Sequence, residues 1–473
     1  MSDHSRRLLR NGSVYTFASV ASTATALLIT PVLTRSLGIE EYDKVAIAIV
    51  VWNFGINLLS LGLPTAIIRL VHAESAGRPL ARGIAAMGFI VVIAASGTTA
   101  LLAWACGFAP EIPWALLAGG AGGAVSMTLA YFVATENSRA YVIASFGLSL
   151  GGPVAGLFST IALGPLAVNY VAGLGAAYTV VAVVCFLYLL SLSATFSIKR
   201  LRTALAIGLP IVPHQLAIGT AAGASVLLAA IALQTGSAAH AQLALLVASA
   251  PITIVSALSS AWTPVILSAP VEIRGERLSQ TAGVIGWLAA LGSGALAMLA
   301  PWFIGLLAPP EQFDTAPMVP VVAVAAASAT VAVAYSSHLN LIIASGKTLA
   351  LTILSPLALL LGFALGVLAA PVLGLLSSAV SFVSAYLLLL VFTRALARRV
   401  SPVRWSEKNL YVALGASAVA SALGAALPWG SLVASLPRLI LAVALLSGAL
   451  AIFLRQIRSA PDGASIASAR DIP

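Results

Sequence analysis

His214 and Gln215 are polar residues inside a long apolar run, directly after the prolines of GLPIVPHQLA (208–217). Arg202 precedes His214 by twelve residues, or ~18 Å of helix, which places the imidazole near the middle of a membrane-spanning helix. Because proline removes a backbone hydrogen bond, the helix is predicted to bend beside this imidazole. An ionisable group at that depth could bind a substrate or transfer a proton. The alternative is a histidine that only hydrogen-bonds a neighbouring helix.

Four other polar side chains lie within apolar runs. His338 and Asn340, in YSSHLNLII, precede Lys347 by nine and seven residues, so we expect them in the inner half of the tenth run. Asn53 and Asn57 are one helical turn apart and share a face, which we expect to look into the helix bundle. Hydrogen bonding between helices is the alternative in each case.

The elements that must position these side chains are those of an all-α, polytopic membrane protein. Of 473 residues, 60% are hydrophobic and 8% are charged, whereas soluble domains carry about 25% charged residues. The apolar runs have the length of membrane helices and lack the alternation of β-barrel strands. They number about fourteen, or thirteen if a gap such as 369–372 is a break within one helix. They cover residues 13–34, 45–68, 84–105, 114–135, 141–163, 166–190, 204–232, 241–267, 281–307, 318–343, 349–370, 372–393, 410–427 and 438–454.

The positive charge is distributed according to membrane topology. The net charge is +10, from 24 basic and 14 acidic residues. If the N-terminus and alternate connections are cytoplasmic, only Arg35, Lys44 and Arg438 lie outside, which leaves 24 − 3 = 21 basic residues inside. This bias predicts a multi-pass membrane protein with both termini in the cytoplasm. No nucleic-acid partner is needed to explain the basicity.

Arg35 and Arg69 bracket the second run, at its predicted outer and inner ends. Arg69 is one of many inner bases, but Arg35, in LTRSLGIEEYDK (33–44), departs from the charge bias. It could pair with an acid of this segment, which is otherwise read as a solvated loop. It could instead face a central cavity and bind a phosphate group. Either arginine could also extend to a membrane interface.

The sequence contains no pattern typical of a catalytic or metal centre. Cys106 and Cys185 lie in apolar surroundings, and no metal-ligand cluster, nucleotide-binding loop or Ser/His/Asp set is found. The connections are short, with no soluble domain. We therefore expect a protein that is not an enzyme and that uses no cofactor or metal.

A weak internal repeat predicts two bundles. GFAPEIPW (107–114) and LLAPPEQF (306–313) follow the third and ninth runs, and NSRAYVIAS (137–145) and SGKTLALTILS (345–355) open the fifth and eleventh. Offsets near 200 residues predict two six-helix bundles related by a pseudo-two-fold axis along the membrane normal. The predicted divisions are a cytoplasmic segment at 1–12, a first bundle at 13–199, a second bundle at 200–394, a cytoplasmic linker at 395–409, two extra spans at 410–455 and a cytoplasmic tail at 456–473.

LTRSLGIEEYDK, with LLSLGLPTAIIRLVHAE (58–74), GLP (208–210) and APPEQFDTAPMVPVVAVA (308–325), resembles the oligosaccharide-lipid flippases of the multidrug/oligosaccharidyl-lipid/polysaccharide exporter superfamily. The nearest branch is the O-antigen and exopolysaccharide translocases. The resemblance implies a transporter of the plasma (inner) membrane. Such a transporter flips undecaprenyl-diphosphate-linked oligosaccharide repeat units from the cytoplasmic to the outer leaflet by alternating access, for surface polysaccharide synthesis. The partners that the resemblance implies are this lipid-linked substrate, membrane lipid, a polysaccharide polymerase and glycosyltransferases.

The substrate-binding candidates on this reading are Arg35, Asn53, Asn57, Arg69, His214, Gln215, His338 and Asn340. Two features depart from the family. Asp43 stands where relatives commonly have glycine, and the seventh run lacks an Asp-Arg pair, which leaves His214 as the candidate at its centre. The alternatives are a drug/cation antiporter or a peptidoglycan-precursor flippase, or a membrane polysaccharide polymerase or glycosyltransferase.

Overall fold

A computed structural model describes the backbone of residues 3–73 and 77–459 and the side chains of 21–71, 77–259 and 262–456. The predicted tail from 460 onward and residues 1 and 2 of the predicted N-terminal segment lie outside the described residues. The described chain is helical and has no strand. Its α-helices are α1 (Asp3–Leu59), α2 (Leu63–Ala73), α3 (Gly77–Ala105), α4 (Glu111–Ala134), α5 (Ser138–Phe146), α6 (Gly152–Leu163), α7 (Ala167–Leu190), α8 (Ile198–Gly208), α9 (Val212–Gly219), α10 (Ala221–Ala232), α11 (Ser237–Leu267), α12 (Val271–Leu307), α13 (Met318–Ala326), α14 (Ser328–Ser345), α15 (Leu351–Leu373), α16 (Leu376–Val400), α17 (Lys408–Ala426) and α18 (Leu432–Ser459).

Thirteen helical stretches of the described chain are long and apolar enough to cross a membrane, and the chain is a multi-pass membrane protein. The stretch Ala21–Val71 counts once but holds two predicted runs. Within it α1 kinks at Gly38, whose φ of 69° suits a residue without Cβ. The kink accounts for the difference from fourteen runs. Residues 369–372 are no break within one helix, because α15 ends at Leu373 and α16 starts at Leu376.

The seventh run is one span in pieces. A 3₁₀ turn, Leu209–Ile211, separates α8 from α9, and α9 ends at Gly219 before α10 starts at Ala221. The prolines at 210 and 213 cause the first break, since neither can donate to the helical ladder. The Oγ1 of Thr352 on α15 donates to the Pro210 carbonyl at 2.6 Å. The predicted bend beside His214 is therefore present, and a neighbouring helix stabilises it.

Two spans form the interior of the molecule. In the 18-residue apolar windows of Glu111–Ala134 and Met318–Ser345, 72% and 83% of the residues are buried, whereas in that of Leu432–Gln456 only 11% are. The predicted repeat pairs these two interior spans, the fourth and the tenth, although the division of the chain at residue 199 stays a prediction. Helices α17 and α18 pack on α12, so the two extra spans lie at the side of the second bundle.

Candidate functional site

The predicted bundles meet along a seam between α1–α2 and the pieces of the seventh span. Its contacts pair Gly236 with Ile39, Gly223 with Val50, Gly219 with Asn57, and Gly208 with Gly62. On the α1 side these contacts follow an unbroken helix from Ile39 to Asn57, or ~27 Å of rise, which is close to the thickness of the hydrocarbon core of a bilayer. The seam therefore closes this side of the molecule from one end to the other.

The backbones are closest at Gly62 and Gly208. A Cβ on Gly62 would lie 2.2 Å from the Gly208 carbonyl oxygen, and the φ of Gly62 is +65°. Both observations require glycine at position 62. Neither a side chain nor an ion pair is needed to bring the two bundles together here.

Asn57 lies on the seam, as a shared inward face of Asn53 and Asn57 predicts. A Cβ on Gly219 would lie 2.7 Å from the Asn57 Oδ1, so the amide faces the second bundle. Its Nδ2 donates to the Asn53 carbonyl at 2.9 Å. Asn53 is itself half-buried. A substrate role for this pair stays a prediction.

His214 lies on α9 and hydrogen-bonds a helix of its own predicted bundle. Its Nδ1 is 2.7 Å from the Ser355 Oγ on α15, which is the alternative that the sequence left open. Gln215 is half-buried beside it. Because α9 is the piece of the seventh span that packs on α1, His214 lies on a helix of the seam, with its ring bonded to α15.

His338 and Asn340 are not brought together with the seam residues. His338 is 2% exposed, its Nε2 lies 3.9 Å from the Glu407 Oε2, and its ring centroid is 5.5 Å from that of Trp405. The Asn340 Oδ1 accepts a hydrogen bond from the Thr263 Oγ1 at 2.8 Å. Both residues thus lie inside the second bundle, and the linker covers His338.

Glu407 is a half-buried charge that sequence analysis missed, because it treated the linker as a plain connection. Its carboxylate contacts Arg394 at 2.8 Å and Arg398 at 3.4 Å. Burial alone would raise the pKa of Glu407, but the hydrogen bond of Tyr411 and the charges of His338 and both arginines lower that pKa below its usual value. A cavity of ≈ 80 Å³ beside the carboxylate is lined by His338, Leu341, Ala397, Arg398, Val403, Arg404, Trp405 and Glu407.

Arg35 and Arg69 lie at opposite ends of the interface between the predicted bundles, and both are exposed. The Arg35 Nη1 donates to the carbonyl of Pro31 at 2.8 Å and to that of Leu306, at the end of α12, at 3.2 Å. Arg35 therefore binds backbone oxygens and not the acids of its own segment. Arg69 is carried by α2, which packs on α8.

Two of the three acids of the segment 33–44, Glu41 and Asp43, bind other helices or side chains, whereas Glu40 is exposed. The Glu41 Oε2 accepts from the backbone N–H of Ala167 at 2.6 Å, at the start of α7, and its Oε1 contacts the Lys44 Nζ at 2.5 Å. The Asp43 Oδ1 accepts from the N–H of Ala239 at 2.8 Å, near the start of α11. The departure from glycine at position 43 was the one sign of this role in the sequence.

Arg438 is a further residue that the sequence marked only as an outer base. Its side chain is fully buried, and its Nη2 donates to the carbonyls of Gly424 and Leu427 at 2.6 Å each. Its Nη1 donates to the Ala297 carbonyl of α12 at 3.3 Å, and its guanidinium lies 5.2 Å from the ring centroid of Trp429. This contact joins α12, α17 and α18.

Solved transporter structures share this fold. The lipid II flippase MurJ, in an inward closed conformation, has 14% identity and a TM-score of 0.64, over 94% of this chain and 99% of that one. The eukaryotic MATE transporter AtDTX14 has 16% identity and a TM-score of 0.62, over 87% and 99%. An outward-facing multidrug resistance MATE family transporter of the MOP superfamily has 16% identity and a TM-score of 0.58, over 83% and 94%.

No protein-family model and no curated protein sequence matches the chain. At these identities the structural likeness establishes the fold.

Proposed function

We propose that this protein flips undecaprenyl-diphosphate-linked oligosaccharide repeat units across the plasma membrane by alternating access. The observation that carries the proposal is the fold likeness to a lipid II flippase over 94% of this chain. A likeness over this share of the chain must include at least part of the linker and of the two extra spans, which pack beside α12. The motif resemblance of the segment 33–44 is an independent support.

The interface between the predicted bundles provides polar groups suited to an anionic substrate. Arg35 and Arg69 are exposed cations at its two ends, and the Asn57 amide lies on the seam between them. A guanidinium binds phosphate through paired N–H donors more strongly than it binds a neutral carbonyl. An arriving diphosphate would therefore compete with the carbonyls of Pro31 and Leu306 for Arg35, while the apolar tail stays in the bilayer.

During alternating access, the two bundles would change their contacts along the seam. Transport would separate the bundles at one end while they stay in contact at the other. Surface polysaccharide synthesis would then supply the partners, with glycosyltransferases building the substrate on the inner side and a polymerase using it on the outer side.

Reconstituted flipping tests the proposal. Proteoliposomes would contain a lipid-linked oligosaccharide with a fluorophore on its sugar, and external dithionite would bleach the label. Without protein, about half of the label should be protected inside the vesicles, whereas active protein should expose nearly all of it. Bleaching that stops at the protein-free level would refute the flippase proposal.

A second candidate, a drug/cation antiporter, is favoured by the likeness to AtDTX14 at a TM-score of 0.62. Cation-driven accumulation of a fluorescent organic cation in the same vesicles, without flipping of the lipid-linked sugar, would support it. In cells, deletion of the gene should leave repeat units on the cytoplasmic leaflet. Unpolymerised units on the outer leaflet would instead favour the polymerase alternative.

A further inference from the structure

The segment around the α1 kink contacts two helices of the second predicted bundle. The Thr34 Oγ1 and the Arg35 Nη1 donate to the carbonyls of Leu307 and Leu306, the last residues of α12, at 2.5 and 3.2 Å. Asp43 accepts from the backbone N–H of Ala239 near the start of α11 at 2.8 Å. We call Thr34, Arg35 and Asp43 with these partners the kink latch. All of its contacts lie at the end of the molecule that the charge bias predicts to be outer.

The charges of the kink latch match the helix ends that they bind. Helix α11 starts with partial positive charge, and its own N-cap residue, Gly236, has no side chain to cap it. Asp43 supplies a negative charge and an acceptor at that end. Helix α12 ends with partial negative charge and has no basic residue in its last turn, and Arg35 supplies the cation. Each helix end thus receives from the first bundle the cap that its own sequence lacks.

An aromatic contact lies beside these polar ones. Tyr42 and Phe313 are each 2% exposed, and their rings meet edge to face with centroids 6.3 Å apart. The His240 ring of α11 lies 5.9 Å from Phe313. The kink end is therefore closed by an apolar core under a layer of charge-assisted hydrogen bonds.

The opposite end of the interface is built differently. The contact between α2 and α8 rests on the close approach of Gly62 and Gly208. The two helices carry exposed cations of like sign, Arg69 on α2 and Lys199 and Arg202 on α8. Like charges on both sides oppose closure. The resting molecule is thus held together more firmly at the kink end than at the basic end.

We infer that the kink latch holds the bundles closed at the kink end, so that the unloaded protein opens first at the basic end. That the basic end is where substrate is loaded rests on the proposed function, but the latch itself is independent of substrate. Glu41 provides a matched comparison, because it caps α7 of the first bundle and bridges no bundles. The acid that matters for opening is Asp43 and not its neighbour.

Distances between spin labels test the latch in the full-length protein without substrate. Cys106 is exposed just beyond α3, and Val372 is exposed near the end of α15. Nitroxides at Cys106 and at Val372→Cys, with the buried Cys185 left in place, would report the separation of the bundles at the kink end. Replacing an N-cap acid by alanine typically lowers the equilibrium constant for forming the capped helix about fivefold.

We expect Asp43→Ala to raise the long-distance population about fivefold, while Asp43→Asn, which keeps the acceptor oxygen, and Glu41→Ala stay near the unmodified protein. Thr34→Val removes the hydroxyl that donates to Leu307 and, within α1, to Thr30 and Pro31. It should shift the distances in the same direction if Asp43→Ala does not fold. Unchanged distances in both Asp43→Ala and Thr34→Val, or an equal shift in Glu41→Ala, would overturn the latch. Flipping is measured separately, so failure of the proposed function leaves this result intact.

Discussion

Replacement of Arg438 by alanine should remove the buried contact that attaches α17 and α18 to α12. Pro301 has no N–H, so the carbonyl of Ala297, four residues earlier on α12, has lost its helical donor. Arg438 donates to that carbonyl at 3.3 Å and to the Gly424 carbonyl at the end of α17 at 2.6 Å. Each buried carbonyl left without a donor costs about 1–3 kcal/mol. The substitution also removes the cost of burying the guanidinium away from water. We therefore expect the free energy of unfolding to fall by about 2–4 kcal/mol.

Thermal unfolding of the purified protein in detergent would measure this loss, with Arg455→Ala as the control, an exposed arginine of the same helix. Arg438→Lys should be intermediate, since one ammonium cannot reach both helices as a planar guanidinium does. The sharper test is a double-mutant cycle with Pro301→Ala, which restores the missing N–H. Arg438→Ala should then cost about 1 kcal/mol less in the Pro301→Ala background. Equal costs in both backgrounds, or no destabilisation, would refute the reasoning.

Other predictions concern the interface and the linker. Arg35→Ala and His214→Ala should each lower flipping at least tenfold while the protein remains folded in the membrane; full activity of either variant in the proteoliposome assay would remove that residue from the site. Gly62→Ala should destabilise the protein by about 3 kcal/mol, because it combines a positive φ with overlap onto Gly208; a melting temperature equal to that of the unmodified protein would contradict this. Glu407 has a lowered pKa in the folded protein, so its contribution to stability is full above its usual pKa and is lost as the pH falls through the lowered value. Between pH 7 and 3 the melting temperature should therefore fall less in Glu407→Gln than in the unmodified protein. An equal fall in both proteins would argue against a stabilising Glu407 carboxylate.

The candidate site was only partly predictable from the residues. His214 and Asn57 were selected because polar groups are costly at membrane depth, and the structure places Asn57 on the seam and bonds His214 to Ser355. His338 and Asn340 satisfied the same criterion but lie apart, His338 under the linker and Asn340 against Thr263 of α11. The free-energy cost of a polar side chain in the membrane depends on its depth alone. This cost therefore does not indicate which side of a helix faces the other bundle.

The sequence by itself determined the class of structure. Apolar runs of bilayer length and a one-sided distribution of arginine and lysine depend on local composition, so helices, spans and their predicted orientation can be read without tertiary contacts. The prolines before His214 likewise predicted a bend, since the missing N–H is a property of the residue itself.

Only the tertiary structure decided the partners of Asp43, Arg35 and Arg438. Asp43 and Arg35 bind backbone groups at helix ends that are distant in sequence, and Arg438 binds carbonyls of α12 and of the end of α17. A backbone N–H or carbonyl has no residue type that a sequence pattern could reveal. An ion pair can be proposed from two letters of opposite charge. A cap on another helix becomes visible only when folding brings that helix end within hydrogen-bonding distance.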